Sequence, residues 1–372
     1  MTRDWEIYRL DGPDLFADVS QGVADGVHDI EPSRSANSEW VVFTSNRTGN
    51  WELFLTRSDG SDLRQLSFNT QAMDIDPAWG PGNLLAFESS RDGNWEIYLF
   101  DVQTGIEVRL TAEPASDINA YWMPDGRSVV FQSDRSDAWQ IYRFDLDTAV
   151  TTLLSDGTTD DRDPVVSPDG RQIAFRSSRG ADADALYLMN ADGSDVRQIS
   201  EPAERVMNPA WSPDGSLIAY ESNVDSDLDI YVFELASGLT RQVTDNAIAD
   251  YAPTWRCGLT SLVFTSDASG DANLFEMSAL PMDAPPADVL LAASQLTFSG
   301  ADDVYPVDTQ SEEDASREGR VPSPGSEQNR SFVPAGGDFP PFPRIDLLSL
   351  ALDTTSTRPG AWDTISVCSA LP

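Results

Sequence analysis

Short apolar segments recur along the chain every 44 or 45 residues, with turn-forming residues between them. Residues 50–54, 94–98 and 138–142 read Asn-Trp-Glu-Leu-Phe, Asn-Trp-Glu-Ile-Tyr and Ala-Trp-Gln-Ile-Tyr. Looser copies follow to residue 275, and the chain opens on another at residues 4–8. A fixed period of this length indicates a repeat architecture.

Three further marks recur in each unit. An X-Pro step comes first, then an apolar run ending in Ser, and a Gln-Leu-Thr-like segment closes the unit. Pro-Asp-Gly at residues 124–126, 168–170 and 213–215 predicts a tight turn after the first segment. The four segments of a unit predict four antiparallel strands, named a to d from the X-Pro step.

The strands are apolar on both faces, so each four-stranded sheet must be covered on both sides. Radially stacked blades give that cover, and the sequence therefore predicts an all-β fold with a single β-propeller. Strand counting favours seven blades closed by mixing N- and C-terminal strands, with residues 345–352 as the missing strand b. Six blades with a separate N-terminal hairpin is the alternative.

Composition divides the chain into three parts. Residues 1–308 hold the propeller repeats. Residues 309–343 are rich in Ser, Glu, Pro and Gly and are predicted to be a disordered or extended linker. Residues 344–372 form a C-terminal tail that can supply a strand to the closing blade.

The repeat resembles the TolB-type WD-like β-propeller repeat. The fullest copy runs from Asn-Pro-Ala-Trp-Ser-Pro-Asp-Gly at residues 208–215 to Asp-Ile-Tyr at residues 229–231. The resemblance implies a role in protein–protein interaction outside the cytoplasm, as in the periplasm. It is specific for the fold and weak for function, because propellers serve both binding and catalysis.

The charge balance excludes several classes of function. The chain has 62 acidic residues against 24 basic ones, all of them arginine, and a formal net charge of −38 at pH 7. Such a surface repels nucleic acid and anionic membranes. No apolar run reaches the roughly 18 residues of a membrane-spanning helix, and the N-terminus has no signal-peptide core. One His and two Cys exclude His-cluster and four-cysteine zinc sites.

An aspartate stands three residues before most X-Pro steps, in equivalent d-to-a loops. The predicted binding residues are these aspartates and two acids nearer the proline: Asp29, Asp74, Asp76, Asp117, Asp161, Asp163, Asp250 and Asp303. If strand a is innermost, their carboxylates ring one mouth of the channel and attract a basic partner or a cation. The alternative is local, with each Asp capping its own turn. A metal such as Ca²⁺ is possible, but no D-x-D-x-D-G loop is present.

Other recurring residues have structural interpretations. The arginine of Ser-x-Arg, at Arg47, Arg91, Arg135 and Arg179, is expected to pair with a carboxylate of the neighbouring blade or with loop carbonyls. The repeated tryptophans are expected to pack between blades. Pairing of Cys257 with Cys368 stays open.

We therefore expect a non-catalytic, monomeric propeller without cofactor that binds a protein or peptide with a basic patch over its acidic mouth. No G-x-S-x-G nucleophile elbow occurs in the chain. The alternatives are a carboxylate-based glycan-active enzyme, or the propeller portion of a larger extracytoplasmic protein.

Overall fold

The computed structural model of the protein describes residues 8–10, 16–18, 27–180, 183–245, 247–255, 261–268, 273–277 and 293–295. In these ranges every regular element is a β-strand. No helix in them is long and apolar enough to cross a membrane. The predicted linker and tail, Asp303, both cysteines and Trp5 lie outside the described residues.

Six four-stranded sheets follow one another along the chain as blades I to VI. Blade I consists of β3 (Asp29–Arg34), β4 (Trp40–Ser45), β5 (Glu52–Arg57) and β6 (Arg64–Gln65). Blade II consists of β7 (Asp74–Trp79), β8 (Leu84–Ser89), β9 (Glu96–Asp101) and β10 (Glu107–Arg109). Blade III consists of β11 (Asp117–Trp122), β12 (Ser128–Ser133), β13 (Gln140–Asp145) and β14 (Val150–Leu153).

The second half repeats the plan. Blade IV consists of β15 (Asp161–Val166), β16 (Gln172–Ser177), β17 (Ala185–Asn190) and β18 (Arg197–Gln198). Blade V consists of β19 (Val206–Trp211), β20 (Leu217–Ser222), β21 (Asp229–Glu234) and β22 (Leu239–Gln242). Blade VI consists of β23 (Asp250–Trp255), β24 (Leu262–Ser266), β25 (Asn273–Met277) and β26 (Ser294–Gln295).

Within the described residues the blade count is six, which agrees with the alternative and differs from the favoured prediction of seven. At the N-terminus, β1 (Tyr8–Leu10) and β2 (Phe16–Asp18) pair with each other as a two-stranded sheet. Two strands do not make a blade, and residues 345–352, predicted to complete it, lie outside the described residues. The described hairpin is thus a sheet separate from the six blades, as in the six-blade alternative.

Strand a is the inner strand of each blade and strand d the outer one. Successive a strands pack against each other from β3 to β23, while the d strands are largely exposed. Strands b and c are buried because apolar side chains project from both faces into the gaps between blades. One aromatic pair joins strands b and c in each blade, such as Phe131 and Tyr142 with ring centroids 5.9 Å apart.

The Pro-Asp-Gly turns form as predicted between strands a and b. Gly126, Gly170 and Gly215 have φ between 66° and 70°, the left-handed region that glycine adopts without strain. At Gly126 a Cβ would also meet the Pro81 ring at 2.7 Å. Because the blade is an antiparallel meander, these turns lie on one face of the propeller. The b–c and d–a loops lie on the other, here named the b–c face.

Candidate functional site

The aspartates that begin strand a are buried on the b–c face. Five of the six predicted ones are described, and each is at most 3% exposed: Asp29, Asp74, Asp117, Asp161 and Asp250. In blade V the equivalent position holds Val206, which is also buried.

In blades I to IV an arginine of the same blade neutralises this aspartate. The pairs are Arg47 with Asp29, Arg91 with Asp74, Arg135 with Asp117 and Arg179 with Asp161, with N–O distances of 2.5 to 3.0 Å. Each arginine also donates from Nε to the Ser two residues earlier, at 2.8 to 3.0 Å. Its guanidinium lies 4.3 to 5.8 Å from the b–c aromatic rings.

In blades I to IV these carboxylates therefore form ion pairs inside the blade rather than a charged rim facing solvent. The Arg partner belongs to the same blade, whereas the sequence suggested the neighbouring blade or loop carbonyls. Burial raises the pKa of Asp117 and of Asp161, and the hydrogen bonds from Arg135 and Arg179 act in the opposite direction. The part these aspartates take in binding stays a prediction.

Asp76 and Asp163 stand two residues further along strand a, where every blade has a bulge. The residue at this position has φ between 50° and 54° in all six blades: Glu31, Asp76, Asn119, Asp163, Asn208 and Ala252. Asn and Asp are the non-glycine residues that best tolerate this conformation. The backbone thus explains their recurrence without a ligand.

The backbone N–H of the bulge residue is bonded to the preceding blade. Asn119 N donates to Glu88 Oε1 and Asp163 N to Gln132 Oε1, both at 2.6 Å. Ala252 N donates to Glu221 Oε2 at 2.8 Å. We name these bonds the interblade latches. They link the inner strands of blades III, IV and VI to the buried end of strand b in the blade before each.

Blades V and VI lack the arginine. Val224 stands at the Arg position of blade V and Ala268 at that of blade VI. The backbone turn is retained in both blades. The Val224 N–H donates to Ser222 Oγ at 3.3 Å, and the Ala268 N–H donates to Ser266 Oγ at 3.2 Å. The ion pair that closes blades I to IV is therefore absent at the junction of blades V and VI.

Carboxylates gather at this junction. Asp225 and Asp227 lie in the b–c loop of blade V and Asp229 begins β21, and ligand oxygens of all three lie within 4.8 Å of one another. Asp225 is exposed, Asp227 is half-buried and Asp229 is 0% exposed. We name these three residues the junction cluster.

Asp229 has a strongly shifted pKa. Burial raises it to about 7, and the charges of Asp225, Asp227 and Asp250 raise it as well. Thr244 donates to Asp229 Oδ1 at 2.9 Å, and Gln242 donates to Asp229 Oδ2 at 3.0 Å and to Asp225 at 2.6 Å. The junction cluster thus combines a carboxyl that titrates near neutral pH with two more exposed acids.

Two kinds of ligand suit this arrangement. Hard oxygen donors are what Ca²⁺ or Mg²⁺ prefer, although Ca²⁺ takes about 6–8 of them. A guanidinium or ammonium group of a partner suits it equally, as the arginines of blades I to IV show. Two features of the sequence mark the cluster, although it was not among the predicted sites. Residues 225–229 have D-x-D-x-D spacing, followed by Ile230 instead of Gly, and Ser-x-Arg is absent beside them.

The recurring tryptophans pack on the same face at the opposite blades. Trp95 is buried against Ile75 and Ile118, with the half-buried Trp51 and Trp139 beside them. The His28 ring stacks on Trp51 with centroids 6.5 Å apart. These contacts are those expected of packing residues.

Comparisons with known proteins agree with this architecture. The sequence matches the family described as TolB beta propeller domain over residues 64–204 and 185–285, more than half of the chain. No curated protein matches the chain in sequence.

Solved structures with the same fold include TolB proteins and an oligogalacturonate lyase. A putative TolB from Agrobacterium tumefaciens is 24% identical over 61% of this chain and 83% of its own, with a TM-score of 0.52. TolB from Acinetobacter baumannii is 20% identical over 68% of this chain and 60% of its own, with a TM-score of 0.50. An oligogalacturonate lyase from Vibrio parahaemolyticus is 17% identical over 72% of this chain and 76% of its own, with a TM-score of 0.54.

At these identities the structural similarities establish the fold alone. The chain spans 60% of the length of the Acinetobacter protein. The family match covers blades II to V completely and reaches into blades I and VI. This chain belongs to the TolB beta propeller domain family.

Proposed function

We propose that the propeller is a non-catalytic binding protein that holds a protein or peptide partner on its b–c face, with basic side chains of the partner on the junction cluster. The observation that carries the proposal is that Asp225, Asp227 and Asp229 converge where the arginine of blades I to IV is replaced by Val224.

The charges of the face support this position. In blades I to IV the buried aspartates are neutralised from within, so they attract a partner weakly. At the junction the acids are grouped without that arginine, and a chain with net charge −38 strengthens the local potential. Complementary charge speeds association and selects basic partners.

The resemblance to TolB-type repeats supports a protein partner and a position outside the cytoplasm. Both belong to the proposal, because the solved relatives share the fold at low identity. Occupation of the junction cluster by a divalent cation is a variant of the proposal. A cation there would compete with the basic side chains of a partner.

Calorimetric titration with an oligo-arginine peptide tests the proposal. The Asp225→Asn, Asp227→Asn double variant removes one exposed and one half-buried charge of the cluster and should weaken binding about tenfold or more. Asp62→Asn with Asp195→Asn is the matched control, since both residues are exposed, lie on the opposite face and have φ near 57° that Asn tolerates. Binding should fall as salt rises.

Two results would contradict the proposal: binding that is independent of salt, or equal loss in the two double variants. Repeating the titration with Ca²⁺ and with a chelator identifies a competing cation. Binding that appears only in the chelator would assign the cluster to the ion.

A second candidate function is carboxylate-based chemistry on a glycan. One observation favours it: Asp229, whose pKa burial raises to about 7, lies beside Asp225 and Asp227, as an acid–base pair requires. Incubation with oligogalacturonate, followed by ultraviolet absorbance of unsaturated product, tests it. Turnover that is lost in Asp229→Asn would establish this candidate over simple binding.

A further inference from the structure

The outer strand of blade III differs from the other outer strands. β14 reads Val-Thr-Thr-Leu and is exposed at three of its four residues, with Val150 52% and Leu153 42% exposed. β6, β10, β18 and β22 each contain an arginine, and β26 is Ser-Gln. Among the described outer strands, β14 is thus the one with neither a charged residue nor a glutamine.

Strand register shows which residues of the other outer strands are replaced in β14. Gln65, Gln198 and Gln242 pair with the aromatic residue of strand c, and Leu153 pairs with the equivalent Tyr142. Arg64, Arg197 and Arg241 precede those glutamines, where blade III has Thr152. Blade III therefore has Thr-Leu where three blades have Arg-Gln.

The replaced side chains have a function at the edge. Gln65 Nε2 donates to the carbonyl of Ser67 and Gln198 Nε2 to that of Ser200, both at 2.7 Å, and so fold back along the edge. Arginine at an edge also hinders another strand from pairing there. Leu153 can do neither, and it presents an apolar side chain to solvent instead.

An edge strand without such residues is a template for strand addition. Its backbone groups on the outer side can pair with an extended peptide, while side chains at alternate positions give specificity. Thr151 and Thr152 are β-branched, which suits pairing. Val150 and Leu153 provide an apolar contact at each end of the strand.

Charges at the two ends indicate the occupant. Asp145 lies opposite Val150. Asp147 in the preceding turn is 41% exposed and 3.7 Å from Arg127, and Asp156 beyond the strand is 49% exposed and 3.4 Å from Arg179, so each acid faces solvent on one side and an arginine of this chain on the other. A second copy of this chain would bring the same acids and another net charge of −38 to the edge. A segment of a partner with basic ends is complementary to it.

We propose that β14 binds an extended segment of a partner protein as a fifth strand of blade III, with an uncharged β-branched centre and Lys or Arg at its ends. This surface is the outer edge of the propeller and does not depend on the junction cluster. It gives the protein a second docking mode based on backbone hydrogen bonds.

Selection from a random-peptide display library against the whole chain tests this proposal. Thr152→Arg with Leu153→Gln introduces the Arg-Gln that blades I, IV and V have, so this variant should fold normally. Leu239→Gln with Thr240→Arg makes the same changes on β22, where Leu239 is 66% exposed, and serves as the control. Selected peptides should alternate Val, Ile or Thr between basic ends and bind roughly tenfold more weakly to the blade III variant alone.

Hydrogen exchange with a selected peptide should slow at residues 150–153. The proposal is overturned if no selected peptide distinguishes the two variants, or if protection falls on other segments. It is also overturned if the chain alone forms a dimer that Thr152→Arg with Leu153→Gln dissolves, since the occupant would then be a second copy.

Discussion

Val206 and Val224 occupy, in blade V, the two positions that hold an aspartate and an arginine in blades I to IV. Both are tied to Ser222: Val206 pairs with it across β19 and β20, and the Val224 N–H donates to its Oγ at 3.3 Å. The ion pair has thus been replaced at both ends within one blade. Replacing a whole buried ion pair by apolar residues can leave the free energy of unfolding nearly unchanged. Replacing only one partner leaves a buried charge without compensation and lowers it strongly.

Restoring the pair in blade V should show this coupling. Val206→Asp alone places a carboxylate at a 0% exposed position and should lower the free energy of unfolding by about 3 kcal/mol. Adding Val224→Arg should recover at least about 2 kcal/mol of that loss. Urea unfolding of the two single variants and the double variant measures the coupling, and strictly additive effects would contradict it.

Removing one partner of the ion pair in blade III should destabilise the protein, and removing both partners should destabilise it less. Arg135→Ala leaves Asp117 buried without its cation and should cost about 3–5 kcal/mol of unfolding free energy. Arg171→Ala is the control, because its side chain is 84% exposed and 3.7 Å from Asp169, and it should change stability by less than about 1 kcal/mol. Asp117→Val added to Arg135→Ala should restore part of the loss, and equal losses in Arg135→Ala and the control would exclude a structural role for the pair.

The raised pKa of Asp229 predicts the direction of a pH effect. An unfolded aspartate has a pKa of about 3.9. Between about pH 4 and pH 7 the folded state keeps a proton on Asp229 that the unfolded state has released, so this group lowers stability as pH rises through that window. Above about pH 7 its contribution is constant.

Asp229→Asn should remove this part of the pH dependence. Between pH 5 and pH 8 the free energy of unfolding of the variant should rise by on the order of 1–3 kcal/mol relative to that of the unchanged protein. Thermal unfolding of both proteins across this range is the measurement. A difference between them that does not vary with pH would show that Asp229 ionises alike in the folded and unfolded states.

The bulge of strand a should restrict which residues it accepts. Asn119 has a φ of 53°, so Asn119→Val forces a β-branched residue into a left-handed conformation and should cost about 1–3 kcal/mol. Asn119→Gly also loses the hydrogen bond from Nδ2 to Asp163 Oδ1, 2.8 Å long, but relieves the backbone. Valine should therefore be clearly worse than glycine in chemical unfolding, and equal losses would assign the effect to the side-chain bond.

Much of the architecture follows from the sequence because the repeat shows each signal several times. The period predicts four-stranded blades, and Pro-Asp-Gly predicts the a–b turns, since both depend on local backbone preferences. The number of blades depends on how the chain ends pair, which local patterns do not specify. The two-stranded sheet of β1 and β2 is the feature that separates the two counts.

The electrostatics of the b–c face were harder to predict. An aspartate such as Asp29 looks like surface charge in a loop, and only the fold brings Arg47, 18 residues later, onto it. The joint absence of Asp and Arg in blade V was visible in the sequence and could have revealed the pairing. The grouping of Asp225 with Asp229 needs the turn between β20 and β21, and the pKa of Asp229 needs its burial.

The interblade latches hold the inner strands of blades III, IV and VI to the blade before each, in addition to the bonds within their own sheets. Arg176 stands in blade IV where Glu88, Gln132 and Glu221 provide the latch acceptor, and arginine has no acceptor atom. Its guanidinium binds Asp163 and Asp184 within blade IV instead. Strand b of blade IV thus offers no latch acceptor at this position, and the Trp211 indole donates to the Val165 carbonyl at 3.2 Å between blades IV and V. Among the described blades, the one that carries the junction cluster is therefore joined to the blade before it through bonds other than the latch, such as the one from Thr240 Oγ1 to the Ile199 carbonyl at 3.0 Å.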